Sequence, residues 1–159
     1  MRYVSLAIAA ALLSPAAMAQ TTMAPEFVKE AGASDKFEID SSKLVMGSQD
    51  PKVKQFAQQM VTDHTNSTAQ IKAAAKQDGV RVPPPMLNPM QKDMIAQLKA
   101  AKGPARDQLY MQQQMQAHQM ALQLHQTYAQ GGDKPALKAV AAQIAPVVKG
   151  HLDMTHGGM

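Results

Sequence analysis

From Pro25 onward, apolar residues recur every three or four positions, in four long runs and one short one. That spacing is the signature of amphipathic helices. The first long helix is expected from about Pro25 to Gly47, with an inward line of Phe27, Ala31, Ser34, Glu38, Ser41 and Val45. Ser48-Gln49-Asp50-Pro51 interrupts it, and Asp50 and Pro51 suit the N-cap and first turn of the next helix. This second helix runs to about Asp78, where Gly79 ends it. Its inward line is Val53, Phe56/Ala57, Met60, His64, Ser67, Ile71 and Ala74. Residues 80–89 carry too many prolines for a helix and read as an extended connection. A short helix follows, about Pro89 to Ala101, with Met90, Met94, Ile95 and Leu98 on one side, and Gly103-Pro104 closes it. The third long helix spans about Pro104 to Gln130. The fourth spans about Lys134 to Met154 and is entered through Gly131-Gly132-Asp133, and the tail after it should fray. No alternating strand pattern is present. Four long helices joined by two short turns and one long crossover predict an all-α, antiparallel four-helix bundle of the ferritin-like kind. The short extra helix falls in the crossover between the second and third.

Four polar residues interrupt these apolar lines, one per long helix: Glu38, His64, His118 and His151. A polar group on a buried stripe must find a partner or cost stability. One such group on each helix predicts a shared polar centre inside the bundle. Two or three neutral imidazoles with a carboxylate suit a transition metal such as zinc, copper or iron. The competing expectation is a hydrogen-bonded core network without a metal, since buried histidines are commonly satisfied by a neighbour.

A shared centre requires the four residues to lie at similar heights along their helices. Glu38 lies about ten residues before the first turn and His64 about thirteen after it, within one helical turn of each other. His118 and His151 are offset by roughly a turn and a half about the Gly131-Gly132 turn. Pro146, five residues before His151, is expected to kink the last helix and shift that end. Asp107 and His125 lie on the same line as His118 and are reserve ligands. Asp63, next to His64, faces another direction and is expected to cap, to pair with a lysine or to support a ligand from outside.

The start of the chain changes the picture of where it works. Met1-Arg2 give a short positive end, Tyr3 to Leu13 a compact apolar run, and Ala17-Met18-Ala19 a small-x-small cleavage site. Residues 1–19 read as a signal peptide, too short to span a membrane. The expected product is one domain, residues 20–159 with its core at about 25–155, in a bacterial periplasm or secreted. No later segment is apolar for long enough to cross a bilayer. The absence of cysteine excludes disulfides and a cysteine lipid anchor.

Loss of Arg2 takes the formal charge from +4 to +3. The excess is mild, and Lys52, Lys54, Lys72 and Lys76 fall on solvent-facing helix positions. With aromatic residues at 4% of the chain, a nucleic-acid surface is not expected. Among the 13 methionines, Met86, Met90 and Met94 are spaced by four, as are Met111 and Met115. Thioethers beside imidazoles favour copper(I), but helical spacing alone produces such stripes, so methionine is read as flexible core filler. The tail residues His151, Met154, His156 and Met159 are a weaker surface alternative for a metal. No nucleophile elbow, phosphate loop or zinc-protease helix motif is present.

Phe37-Glu38-Ile39, the run Val53 to Thr65 ending in Asp63-His64-Thr65, Ala117-His118-Gln119, and Ala145-Pro146 followed by His151-Leu152 resemble a ferritin-like family of exported bacterial proteins. That family is called domain of unknown function 4142. The resemblance covers about residues 25–155 and implies a helical bundle in the envelope, with no established activity to carry over. Ferritin-like di-iron bundles place glutamates on all four helices, including two Glu-x-x-His pairs. Here Val61 and Val148 stand three before His64 and His151, and the only glutamates are Glu26, Glu30 and Glu38. A di-iron centre is therefore not expected.

The sequence thus reads as an exported binding or stress-response module, non-enzymatic, with a polar and mononuclear metal-binding centre at Glu38, His64, His118 and His151. Two alternatives stand beside it. One is a metal-dependent periplasmic oxidoreductase at the same centre, which needs an open coordination position. The other is a structural or interaction protein whose polar centre only fixes helix register. No partner is indicated beyond another envelope protein.

Overall fold

The structure, a computed structural model, is described for residues 23–156. The expected signal peptide and the tail residues Gly157–Met159 lie outside the described residues. Within them are five helices and no strand: α1 (Ala24–Val45), α2 (Pro51–Gln77), α3 (Pro89–Ala100), α4 (Gly103–Gly131) and α5 (Pro135–His156). α1 packs on α2 and α4, and α5 packs on α4 and α2, so each long helix touches two others. The short α3 lies over α1 and α4.

Local chemistry sets the boundaries. The Asp50 carboxylate accepts from the Lys52 amide at 2.9 Å, capping α2 ahead of Pro51. Gly79 takes φ +68° just past the end of α2, a conformation that only glycine adopts without strain. Asn88 and Gln91 form a reciprocal capping box at the start of α3. Asp78, at the end of α2, accepts from the amides of Ala136 and Leu137 at 3.2 and 2.8 Å. One carboxylate thus satisfies the open N-terminus of α5 and ties the two helices together.

Two apolar clusters fill the space between the long helices. One contains Phe27, Ile71, Tyr128, Leu137 and Ile144. The other contains Val45, Val53, Phe56, Met60 and Tyr110. Between them every long helix places polar residues: Asp35, Glu38, Ser41 and Ser42 on α1, His64 and Ser67 on α2, Gln114 and His118 on α4, and His151 on α5, all buried. Phe37, Met94, Ile95 and Ala117 make a third, smaller cluster beneath α3.

The inward line of α1 differs in one place from the expected one. Asp35 is buried and Ser34 is only half-buried. Both positions satisfy three-and-four spacing between Ala31 and Glu38, and the packing selects the aspartate because it has a partner on α2.

Candidate metal centre

Three histidines from three helices meet in the polar layer. The ring centroids of His64 and His118 are 5.5 Å apart, those of His64 and His151 5.6 Å, and those of His118 and His151 5.3 Å. One ring nitrogen from each lies within 4.8 Å of the other two. All three residues are buried.

The height mismatch expected between His118 and His151 is absorbed by the turn and by side-chain direction. α4 continues to Gly131 and α5 starts only at Pro135. His118 thus lies thirteen residues from its end of the hairpin and His151 sixteen, an offset of roughly 4.5 Å. Helical side chains lean toward their own N-terminus. In this antiparallel pair His151 therefore leans back toward the turn and His118 away from it, which closes the gap. α5 continues through Pro146.

Each histidine is held from behind by an acceptor. The Asp35 carboxylate takes the hydrogen bond from His64 Nδ1 at 2.9 Å, and Thr68 donates to the other Asp35 oxygen at 2.8 Å. His118 Nδ1 donates to the Gln114 carbonyl at 2.8 Å. His151 Nε2 donates to the Asp63 carboxylate at 2.9 Å. A carbonyl or carboxylate can only accept, so the proton of each ring sits on the bonded nitrogen. In the neutral form of each ring the opposite nitrogens, His64 Nε2, His118 Nε2 and His151 Nδ1, carry lone pairs. None of the three has a hydrogen-bond partner, although all are buried. Unpartnered buried polar atoms are rare and costly. Three from one cluster make a donor set suited to a cation, and outward-held imidazoles are how metal-binding histidines are usually oriented.

Glu38 lies beside the three histidines and outside their close group. Its Oε1 is 3.6 Å from His118 Nδ1, which is already engaged by Gln114. Both of its oxygens are buried without partners. Burial pushes its carboxyl up to about 7, against the pull of His64 and of the nearby Gln114 amide. Burial works against a charge on His64, but its bond to Asp35 and the carboxylates of Glu38, Asp35 and Asp63 outweigh it and raise its pKa. Burial, reinforced by His64, drives His118 down to about 3. It also lowers His151, in spite of Asp63. The site thus concentrates its negative charge behind His64 and keeps the other two rings neutral, the form that binds metals.

The reserve positions do not join the group. Asp107 accepts from the Ser48 hydroxyl at 2.6 Å, near the α1–α2 turn. His125 is buried edge-on against Phe27, with ring centroids 5.5 Å apart. Asp35 was not singled out from the sequence; Asp63 was expected to cap, to pair with a lysine or to support a ligand from outside, and it takes the last of these positions, behind His151. The signal for Asp35 was its alternative fit to the α1 spacing. For Asp63 the sequence left open which histidine it supports, because its partner is 88 positions away.

A family model described as a domain of unknown function (DUF4142) matches residues 9–157. Among solved structures, the fold is similar to a DUF305 fragment from Deinococcus radiodurans, with a TM-score of 0.73 and 16% identity over 84% of this chain and 93% of that one. It is also similar to CopM in a Cu(II)-bound form, at TM-score 0.72 and 16% identity over 86% of this chain and 95% of that one. The Cu(I)-bound form of CopM gives 0.70 and 17%, covering 86% and 94%. At these identities the likeness is one of fold. No curated protein matches the chain.

Proposed function

We propose that this chain, which belongs to the DUF4142 family, is an exported metal-binding protein that holds one divalent transition-metal ion on His64, His118 and His151. The observation that carries this reading is that His64, His118 and His151 each bring a ring nitrogen within 4.8 Å of the others, in a buried cluster where each ring also keeps one nitrogen without a partner. His64 Nε2, His118 Nε2 and His151 Nδ1 are the donors. Asp35, the Gln114 carbonyl and Asp63 fix the rings, and Glu38 supplies negative charge beside the ion. Three imidazoles accept zinc, copper or iron, and among these the Irving–Williams order makes copper(II) the strongest binder. The copper-bound forms of CopM, a protein of similar fold, favour the same metal. With one glutamate in the layer, the site does not suit a carboxylate-bridged iron pair.

In this reading residues 1–19 are a signal peptide removed after Ala19, and residues 20–159 form one ferritin-like antiparallel four-helix domain in the periplasm. No helix among the described residues is long and apolar enough to cross a membrane. A tightly enclosed ion, with each ligand fixed by a neighbour, suits capture and buffering under metal stress better than turnover.

The test is elemental analysis of the untagged chain from Gln20 to Met159 after dialysis against copper(II), zinc or iron(II). A His64→Ala/His118→Ala variant, checked for helicity, is the control. One equivalent of metal in the native chain and none in the variant supports the reading. No metal, or equal metal in both, overturns it and leaves the layer as a structural polar network.

A further inference from the structure

Five large apolar side chains are exposed among the described residues: Met23, Met86, Met90, Met120 and Val147. Three of them, Met86, Met90 and Met120, line a single groove of about 560 Å³ between α1, α4 and the start of α3. Their exposures are 71%, 38% and 41%. Core filling accounts for the buried Met94 that also lines the groove, but not for three exposed methionines that line it from three segments of the chain.

The groove is held in shape by its neighbours. Met86 follows Pro83-Pro84-Pro85 directly, and proline fixes the backbone of that extended run. The run sits against α1, where a Cβ added at Gly32 would lie 3.6 Å from the Pro85 Cβ. Met90 is in the first turn of α3, and its Sδ takes a contact from the Gln116 amide at 3.9 Å. That contact lays the thioether against α4 one turn from Met120. Lys29 and Glu30 also line the groove, so its charged lining is balanced and the donors offered to an ion are the neutral thioethers.

A thioether is a neutral, soft and polarisable donor with little affinity for zinc or for hard cations, and it prefers Cu(I) and its congener Ag(I). We propose that Met86, Met90 and Met120 form a second, surface site for a soft monovalent cation, Cu(I) or Ag(I). The site is separate from the histidine centre in position and in chemistry. It does not depend on that centre binding anything, and ion binding there involves no change of oxidation state. A chain with both sites would take copper in either of its common valences.

Silver nitrate in chloride-free buffer is the probe, because Ag(I) needs no reductant. The full chain is labelled on its methionine methyl carbons and titrated by NMR, with resonances assigned by single Met→Leu variants. The methyl signals of Met86, Met90 and Met120 are expected to shift together and saturate at one equivalent, while the fully buried Met60 stays in place. The same shifts are expected in a His118→Gln variant, so failure of the histidine centre and failure of this site remain distinguishable. A Met86→Leu/Met90→Leu/Met120→Leu variant keeps the apolar volume at exposed positions. It is expected to hold one Ag(I) fewer at unchanged melting temperature. Shifts confined to other methionines, or an unchanged silver stoichiometry in the triple variant, would overturn the proposal.

Discussion

His151 on α5 donates from Nε2 to the Asp63 carboxylate on α2 at 2.9 Å, and this bond leaves His151 Nδ1 as the free nitrogen of its ring. The other two rings of the centre present Nε2. The Asp63 side chain is about 30% exposed, whereas the His151 side chain is 3% exposed. The cluster thus reaches solvent through the residue that orients one of its rings, with the three rings themselves kept dry.

Replacing Asp63 by alanine should therefore loosen one ligand without emptying the core. Losses of about 10- to 100-fold in metal affinity are typical when such an orienting partner is removed. Competition with a chelator should give a copper(II) dissociation constant raised by about that factor, with helicity unchanged. An unchanged affinity would mean that Asp63 plays no part in holding His151.

Glu38 should cost the apo-protein stability at alkaline pH. Its carboxyl titrates at about 7 in the folded chain, against an ordinary 4.5. A group raised on folding contributes its full share below the lower value and loses it as pH rises through the higher one. At pH 8 the folded chain must bury an ionised carboxylate, so Glu38→Gln should stabilise the apo-protein by roughly 1–3 kcal/mol. Urea unfolding of metal-free protein at pH 5 and pH 8 checks this, with the gain expected only at the higher pH. A loss of stability at pH 8 would mean that the charge on Glu38 is well compensated there.

His125 should produce the opposite slope. Burial, with a further push from His64, drives it down to about 4, despite the attraction of Asp35. Below its ordinary value of 6.5 the unfolded chain takes up a proton that the folded chain refuses. Stability is therefore complete above about 6.5 and falls as pH drops toward 4. The fall between pH 7 and pH 4.5 should be smaller in His125→Leu than in the native chain by on the order of 1–3 kcal/mol. Equal slopes in the two proteins would contradict the buried, neutral state of this ring.

The helices and the four polar positions were legible because both rest on local periodicity. Pro51, Gly79, Pro89 and Gly103-Pro104 marked helix ends that the structure keeps within a few residues. Glu38, His64, His118 and His151 fell on buried stripes and are buried in one layer. Relations between helices were less legible. Ser34 and Asp35 fit the α1 spacing equally well, and only the position of His64 and Thr68 on α2 decides for the aspartate. Asp63 points away from His64, as adjacent helical residues do, but knowing that it faces His151 requires knowing that α5 lies beside α2. The spacing put Glu38 on equal terms with the histidines. In the structure it stands beside their group, because the nearest imidazole nitrogen is already bonded to Gln114.

In the proposed centre three imidazoles, and no other side chains, supply the protein donors to one enclosed ion. X-ray absorption on the chain loaded with one equivalent of copper(II) counts these donors, since imidazole rings leave a multiple-scattering pattern that carboxylates and thioethers lack. Three imidazoles in the native chain and two in a His151→Ala variant are the predicted result. A sulfur scatterer, or an imidazole count that the substitution leaves unchanged, would mean that other side chains hold the ion.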